Sequence, residues 1–149
     1  MPMNDTRGQV AYVSQRPVFF STTIRDNIAM GKEVRDADIM EQLHRVHLSQ
    51  IIEQLPEGLN TIMGDDGFRF SQGQSQRFAL ARALLHDSCL LLFDEIENAL
   101  DKESVDTLLA IISELVNTKL IIMITHRDTY DHLATDTLWL PGTGEGASQ

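Results

Sequence analysis

The sequence predicts an α/β fold of parallel strands flanked by helices. Two apolar runs of strand length carry this, Cys89–Phe93 and Lys119–Thr125, together with an amphipathic stripe between them and chemistry-bearing residues just past each run. A strand, helix, strand order closes as a parallel pair, and ligands of such sheets gather at the carboxyl ends of the strands. Asp94 and Glu95 follow the first run and His126 follows the second, so all three fall at one end of the sheet.

Taken in order, Val10–Ser14 (VAYVS) reads as a short strand, closed by Gln15, Arg16 and Pro17 because proline cannot continue a ladder. A short helix is expected over Thr22–Met30. From Asp36 the residues Ile39, Leu43, Val46, Ile51 and Leu55 keep near-helical spacing, with a break at Ser49 and a stop at Pro56-Glu57-Gly58. Asn60–Phe70 holds Gly64, Asp65, Asp66 and Gly67 and reads as a turn-rich connection. Ser71 precedes Gln74 by three positions, a capping box in which each side chain satisfies an orphan amide at a helix start, and that helix should run through Leu85.

The run Cys89–Phe93 is apolar throughout, as expected of a parallel strand covered on both faces, and Cys89 is expected in the core. Val105, Leu108, Leu109, Ile112, Leu115 and Val116 form the stripe of the next helix. A further strand is expected over Thr137–Leu140, before a tail, GTGEGASQ, too poor in apolar residues to pack.

The chain has 149 residues, enough for one domain or part of one. Lysine and arginine number 12 against 22 aspartates and glutamates, a net charge of −10. That sign excludes a module that binds nucleic-acid backbones, so no nucleic-acid partner is expected. One cysteine allows no internal disulfide and no multi-cysteine zinc site, and suits a reducing compartment. His44 and His47 share a helical face, but no third ligand is placed, so a surface role is expected rather than a metal site. No apolar stretch approaches the roughly 18 to 20 residues that span a bilayer, and MPMNDTRGQ lacks the pattern of a signal peptide.

FSQGQSQRFALARALL, with LLLFDE and ITHR following it in order, resembles the ATP-binding-cassette (ABC) ATPase family. The sixteen-residue run is similar to the family's signature segment. By itself S-x-x-Q fits any capped helix, but the basic, alanine-rich continuation goes beyond that. A serine hydroxyl and glycine amides at a helix N-terminus suit an anionic phosphate. The resemblance therefore implies that Ser71, Gly73 and Gln74 meet the terminal phosphate of ATP. LLLFDE resembles a Walker B strand, which implies that Asp94 holds the shell of Mg2+ and that Glu95 is the general base toward water. NALD, ending at Asp101, resembles the D-loop, which crosses to the partner subunit in a nucleotide sandwich and implies a nucleotide-binding role for Asp101, and Asp101 also reads as a helix cap. His126 in ITHR resembles the switch histidine, which implies a catalytic role in contacting the terminal phosphate and orienting the water.

VSQRPVFFSTTIRDNI resembles the Q-loop of the exporter-type branch, implying that Gln15 reaches both nucleotide and Mg2+. LPEGLNTIMGDDG is also similar to that branch, and Asp65 reads equally as a contact to the transmembrane partner or as a solvated loop residue. The implied architecture is a partial P-loop NTPase (ABC ATPase) fold over 1–149. It has a Q-loop region at about 9–21, a helical subdomain with the signature at about 22–86, Walker B to H-loop strands at about 87–141 and a flexible tail at 142–149.

The sequence departs from the family's pattern in places. G-x-x-x-x-G-K-[ST], which precedes the Q-loop in the family, occurs nowhere in it. Without that lysine and those nested amides the phosphates lose their main cradle, so the isolated chain is expected to bind ATP poorly and to be inactive. Gln72 stands at the first glycine position of the signature, Ile96 and Glu97 replace smaller or less charged residues, and Ser88 stands where proline is usual.

The resemblance implies the ATP-hydrolysing component of an exporter-type ABC transporter, at the cytoplasmic face of the membrane. Its implied partners are a transmembrane domain and a second ATPase domain in a homo- or heterodimer that sandwiches ATP. The competing reading is a truncated or degenerate non-catalytic partner that completes or regulates another ATPase subunit. Related DNA-repair ATPases need a long coiled coil, for which Gln15 and Ser71 lie too close together.

Overall fold

In a computed structural model of the chain, residues 10–96, 100–126 and 128–138 are described. Strand β1 (Val10–Val13) leads through a loop to three helices, α1 (Ile24–Ala29), α2 (Asp36–Arg45) and α3 (Ser49–Gln54). A 3-10 turn, Gly58–Asn60, and a turn-rich segment precede the long helix α4 (Gln72–Leu85). Strand β2 (Leu90–Asp94), helix α5 (Lys102–Leu115) and strand β3 (Leu120–Ile124) follow, then a 3-10 helix at Asp128–Leu133.

The strands form one parallel sheet in the order β1-β2-β3. Its register aligns Val10 with Leu90 and Leu120, and Val13 with Phe93 and Met123. Side chains alternate across a strand. One face therefore carries Val13, Leu91 and Phe93, all buried in a single core with Phe78 and Leu80 of α4 and Leu108, Ile111 and Ile112 of α5. The other carries Val10, Tyr12, Leu120, Ile122 and Ile124, all exposed. The expectation of strands covered on both faces is thus corrected, because the helices lie on one face only among the described residues.

Helix boundaries follow local chemistry. Thr23 caps α1 by accepting from the Asp26 amide, and Met30 ends it in the left-handed region. The long helical pattern after Asp36 breaks at Val46–Leu48, where His47 has φ +58°, and Ser49 starts α3 rather than ending α2. His47 consequently lies beyond α2 and shares no helical face with His44. It sits 3.8 Å from Glu103 instead. Cys89 is exposed, against the expectation of a core residue, because it stands one residue ahead of β2 at the rim of the sheet. Thr137 and Leu138 belong to no strand, and Leu138 is 83% exposed, so the predicted last strand is not formed there. Trp139, Leu140 and the tail lie outside the described residues.

Helix α4 joins the two parts of the chain. It contacts α1 and α2 on one side and β1 and α5 on the other, and seven of its residues from Gln76 to Leu84 are buried. Phe78 is fully buried, with the Phe19 ring edge-on at 5.3 Å and the Phe70 ring at 5.1 Å. Truncating such a side chain removes transfer free energy and leaves a cavity. Phe78→Ala is expected to cost about 3 to 5 kcal/mol in a urea melt, and a loss under about 1 kcal/mol would contradict the central place given to this ring.

Candidate functional site

The sheet brings the ends of its three strands together. Asp94 closes β2, and its Oδ2 accepts a 2.6 Å hydrogen bond from the Tyr12 hydroxyl of β1. Tyr12 and Asp94 share the open face, since Tyr12 is level with Leu92 and Asp94 stands two residues further on. Glu95 then turns out of the strand with φ +47°, a left-handed conformation that side chains other than glycine's adopt at a cost. Its amide donates to the Ile124 carbonyl at 2.9 Å, which fixes the turn against β3. The turn places Glu95 Oε1 2.6 Å from His126 Nε2, two residues past β3. A carboxylate only accepts, so Nε2 carries the proton and donates.

Gln15 lies just past β1. Its carbonyl accepts a 2.8 Å hydrogen bond from Gln76 Nε2, which ties the loop to α4. At the start of α4 the predicted capping box is present: the Gln74 amide donates to Ser71 Oγ at 3.3 Å and the Ser71 amide donates to Gln74 Oε1 at 3.0 Å. The first amides of the helix, those of Gln72 and Gly73, have no partner within it. Gly73 faces α5 closely, for a Cβ there would lie 3.3 Å from Ser104 Oγ. Asp101 caps α5 by accepting from the Ser104 amide at 2.9 Å. Its carboxyl is held below the ordinary range, first by the neighbouring Ser104 hydroxyl and then by that amide, with Arg77 adding attraction. Asn98 and Ala99 of the expected D-loop, Glu97 beside them and Arg127 lie outside the described residues.

The structure therefore sorts the sequence-predicted residues into two groups. Asp94, Glu95 and His126 meet at the carboxyl ends of the strands, with Gln15 following the end of β1. Ser71, Gly73 and Gln74 start α4, and Gly73 approaches the α5 N-terminus capped by Asp101. Gln72 is exposed at the first position of α4, and Asp65, fully exposed, pairs with Arg69 at 3.0 Å. Sequence reasoning missed Tyr12, Gln76 and Ser104. Gln76 carried a signal, a polar residue inside a run otherwise apolar at the helix's buried positions. Tyr12 carried none, since its bond depends on strand register.

The sequence pattern that defines the ABC transporter family matches residues 1–98. An ATP-dependent lipid A-core flippase of Alcanivorax borkumensis is 41% identical over 128 residues, 84% of this chain and 22% of that protein. A heterocyst differentiation ATP-binding protein of Nostoc is 43% identical over 126 residues, 84% of this chain and 21% of that protein. A solved bacterial Atm1-family ABC exporter with ATP bound superposes with a TM-score of 0.72 at 33% identity, covering 81% of this chain and 21% of that one. The chain thus spans about a fifth of the length of the curated relatives it matches.

The Tyr12–Asp94 bond has a direct spectroscopic consequence. Hydrogen bonding to the Asp94 carboxylate, with some desolvation and its negative charge, pushes the Tyr12 phenol above its ordinary pKa of 10.0. Asp94→Asn removes the charge, so the Tyr12 titration followed by carbon NMR of the ring should move down toward pH 10. An unchanged curve would show that the two groups do not meet.

Proposed function

This chain belongs to the ABC transporter family as part of an exporter-type ATP-binding domain, and from that premise we propose that it supplies halves of ATP sites in a transporter that couples ATP hydrolysis to export. The observation that best supports the reading is the 2.6 Å contact of Glu95 with His126 beside Asp94 at the strand ends. A base for hydrolysis has to sit where a water can lie next to the transferred phosphate. With Oε1 accepting from His126, the Glu95 carboxylate is held at the strand ends, where it would polarise that water. His126 thereby fixes the orientation of the base.

Among the described residues no group of three or more His, Cys, Asp or Glu could cage a metal ion. Mg2+ takes one or two carboxylates and completes its shell with water and phosphate oxygens. Asp94 is the carboxylate that would hold it, steadied through Oδ2 by Tyr12, and Gln15 is the neutral donor. Magnesium, when bound, would neutralise charge on the phosphates. Ser71, Gly73 and Gln74 would serve the ATP of a second ATPase domain. Ser71 Oγ accepts from Gln74 but keeps its own proton to donate, and the Gln72 and Gly73 amides face outward from the helix start. Asp101, at the cap of α5, is proposed as the D-loop residue that faces the partner.

Among the described residues no helix is long and apolar enough to cross a membrane. The reading therefore assigns the crossing to a transmembrane partner, docked at the cytoplasmic face on the helical segment 22–86, with Asp65 in contact. The Q-loop segment, about 9–21, and the strands at about 87–141 would form the catalytic part. A second reading, a non-catalytic partner of another ATPase, draws on Gln72, whose side chain stands at the helix start where glycine would leave room for phosphate.

The sequence holds no P-loop lysine, so the chain alone should bind Mg-ATP with a Kd weaker than about 1 mM in a calorimetric titration. Micromolar binding would overturn the claim that the missing motif disables it. When the segment is joined to a P-loop-bearing portion, Glu95→Gln should lower kcat by about 10²- to 10⁴-fold with ATP still bound. Equal rates would favour the non-catalytic reading.

A further inference from the structure

Three polar atoms are buried around one small cavity at the junction of β1, α4 and α5. Gln76 is 3% exposed and Ser104 is fully buried. Gln76 Oε1, Arg77 Nε and Ser104 Oγ each lack a hydrogen-bond partner among the described residues. The same three residues line a cavity of about 10 Å³, together with Val13, Ile96 and Leu100. We infer that this cavity binds one structural water bridging Gln76, Arg77 and Ser104, and that Gln76 is thereby the positioning residue that pins the Gln15 loop to α4.

The chemistry of the three atoms matches a single water. Gln76 Oε1 accepts only, because its amide nitrogen donates to the Gln15 carbonyl at 2.8 Å, and a flipped amide would set two oxygens face to face. Arg77 Nε–H donates only, while its Nη1 is engaged by the Val46 carbonyl at 3.2 Å. The Ser104 hydroxyl points its proton toward the Asp101 carboxyl, which leaves its lone pairs open to a donor from the cavity. A water donating to Gln76 and Ser104 and accepting from Arg77 satisfies all three. Buried waters make about three such bonds and need roughly 10 to 15 Å³ of space. A buried polar atom left without a partner is costly, so a water that satisfies all three is favoured.

Placement makes the water a hub. Gln76 reaches the Gln15 carbonyl, Arg77 holds the end of α2, and Ser104 abuts Gly73 and caps onto Asp101. Every segment that carries a candidate nucleotide contact near α4 therefore meets the cavity. This inference does not depend on whether the chain binds ATP.

A crystal structure of the full chain at about 2 Å resolution tests it. An ordered water within roughly 3.2 Å of all three atoms is expected. A direct bond between Gln76 and Ser104, or no density where other buried waters are visible, would overturn the assignment. The positioning role is read by hydrogen exchange. Gln76→Met should speed exchange at residues 14–16 by roughly tenfold while β2 keeps its protection. A uniform rise across the chain, or no change at residues 14–16, would reduce Gln76 to ordinary packing. Should Gln76→Met not fold, Ser104→Ala removes one water partner without adding bulk. It should also speed exchange at residues 14–16, and unaltered rates there would count against the role.

Discussion

The burial of α4 is the constraint on which the rest of the structure depends. A helix that is apolar on most sides has to be enclosed, and α4 is enclosed by α1 and α2 on one flank and by β1 and α5 on the other. Phe78 is the centre of that enclosure, gripped by Phe19 from the loop after β1 and by Phe70 from the segment before α4. Because those two phenylalanines lie on opposite sides of the helical segment in sequence, their meeting closes the whole stretch between them into one unit. The capped start of α4 is then carried to a fixed place relative to the strand ends.

Polar groups inside this enclosure are few and are used to align backbone. Asn27, fully buried, donates to the Phe20, Thr22 and Thr23 carbonyls and accepts from the Phe20 amide, so the loop that delivers Phe19 is tied to α1. Gln76 does the same for the Gln15 loop. His86 closes the far end of α4 onto the Ile28 carbonyl at 3.0 Å, and burial holds its pKa below the usual imidazole value, favouring the neutral ring. A buried polar group without a partner is costly, so each of these residues sets a geometry that an apolar residue of the same volume would leave loose.

Much of this was legible in the sequence. The strands after Leu90 and Leu120 stand out as apolar runs, and the Ser71–Gln74 box is set by adjacent residues whose spacing alone decides the bond. The placement of Asp94, Glu95 and His126 at one end followed from strand direction. What could not be read is whatever depends on which strand lies beside which. Tyr12 meets Asp94 through parallel register, and Ser104 meets Gly73 through helix packing. Cys89 was misread because an apolar run does not mark where the ladder begins, and the coverage of both faces because apolar residues alone do not say what will lie over them. His47 was misread because a left-handed residue after α2 interrupts a spacing that looks helical.

The turn at Glu95 has a consequence for how such a chain can drift over generations. Holding a glutamate at φ +47° costs about 1 to 2 kcal/mol that glycine would not incur. Replacement by glycine would thus leave a sturdier fold while deleting the carboxylate that meets His126. Folding and chemistry pull in opposite directions at this one position, and random substitution, left unopposed, would trade the second for the first. A lineage released from any demand for that side chain would therefore be expected to lose the glutamate early.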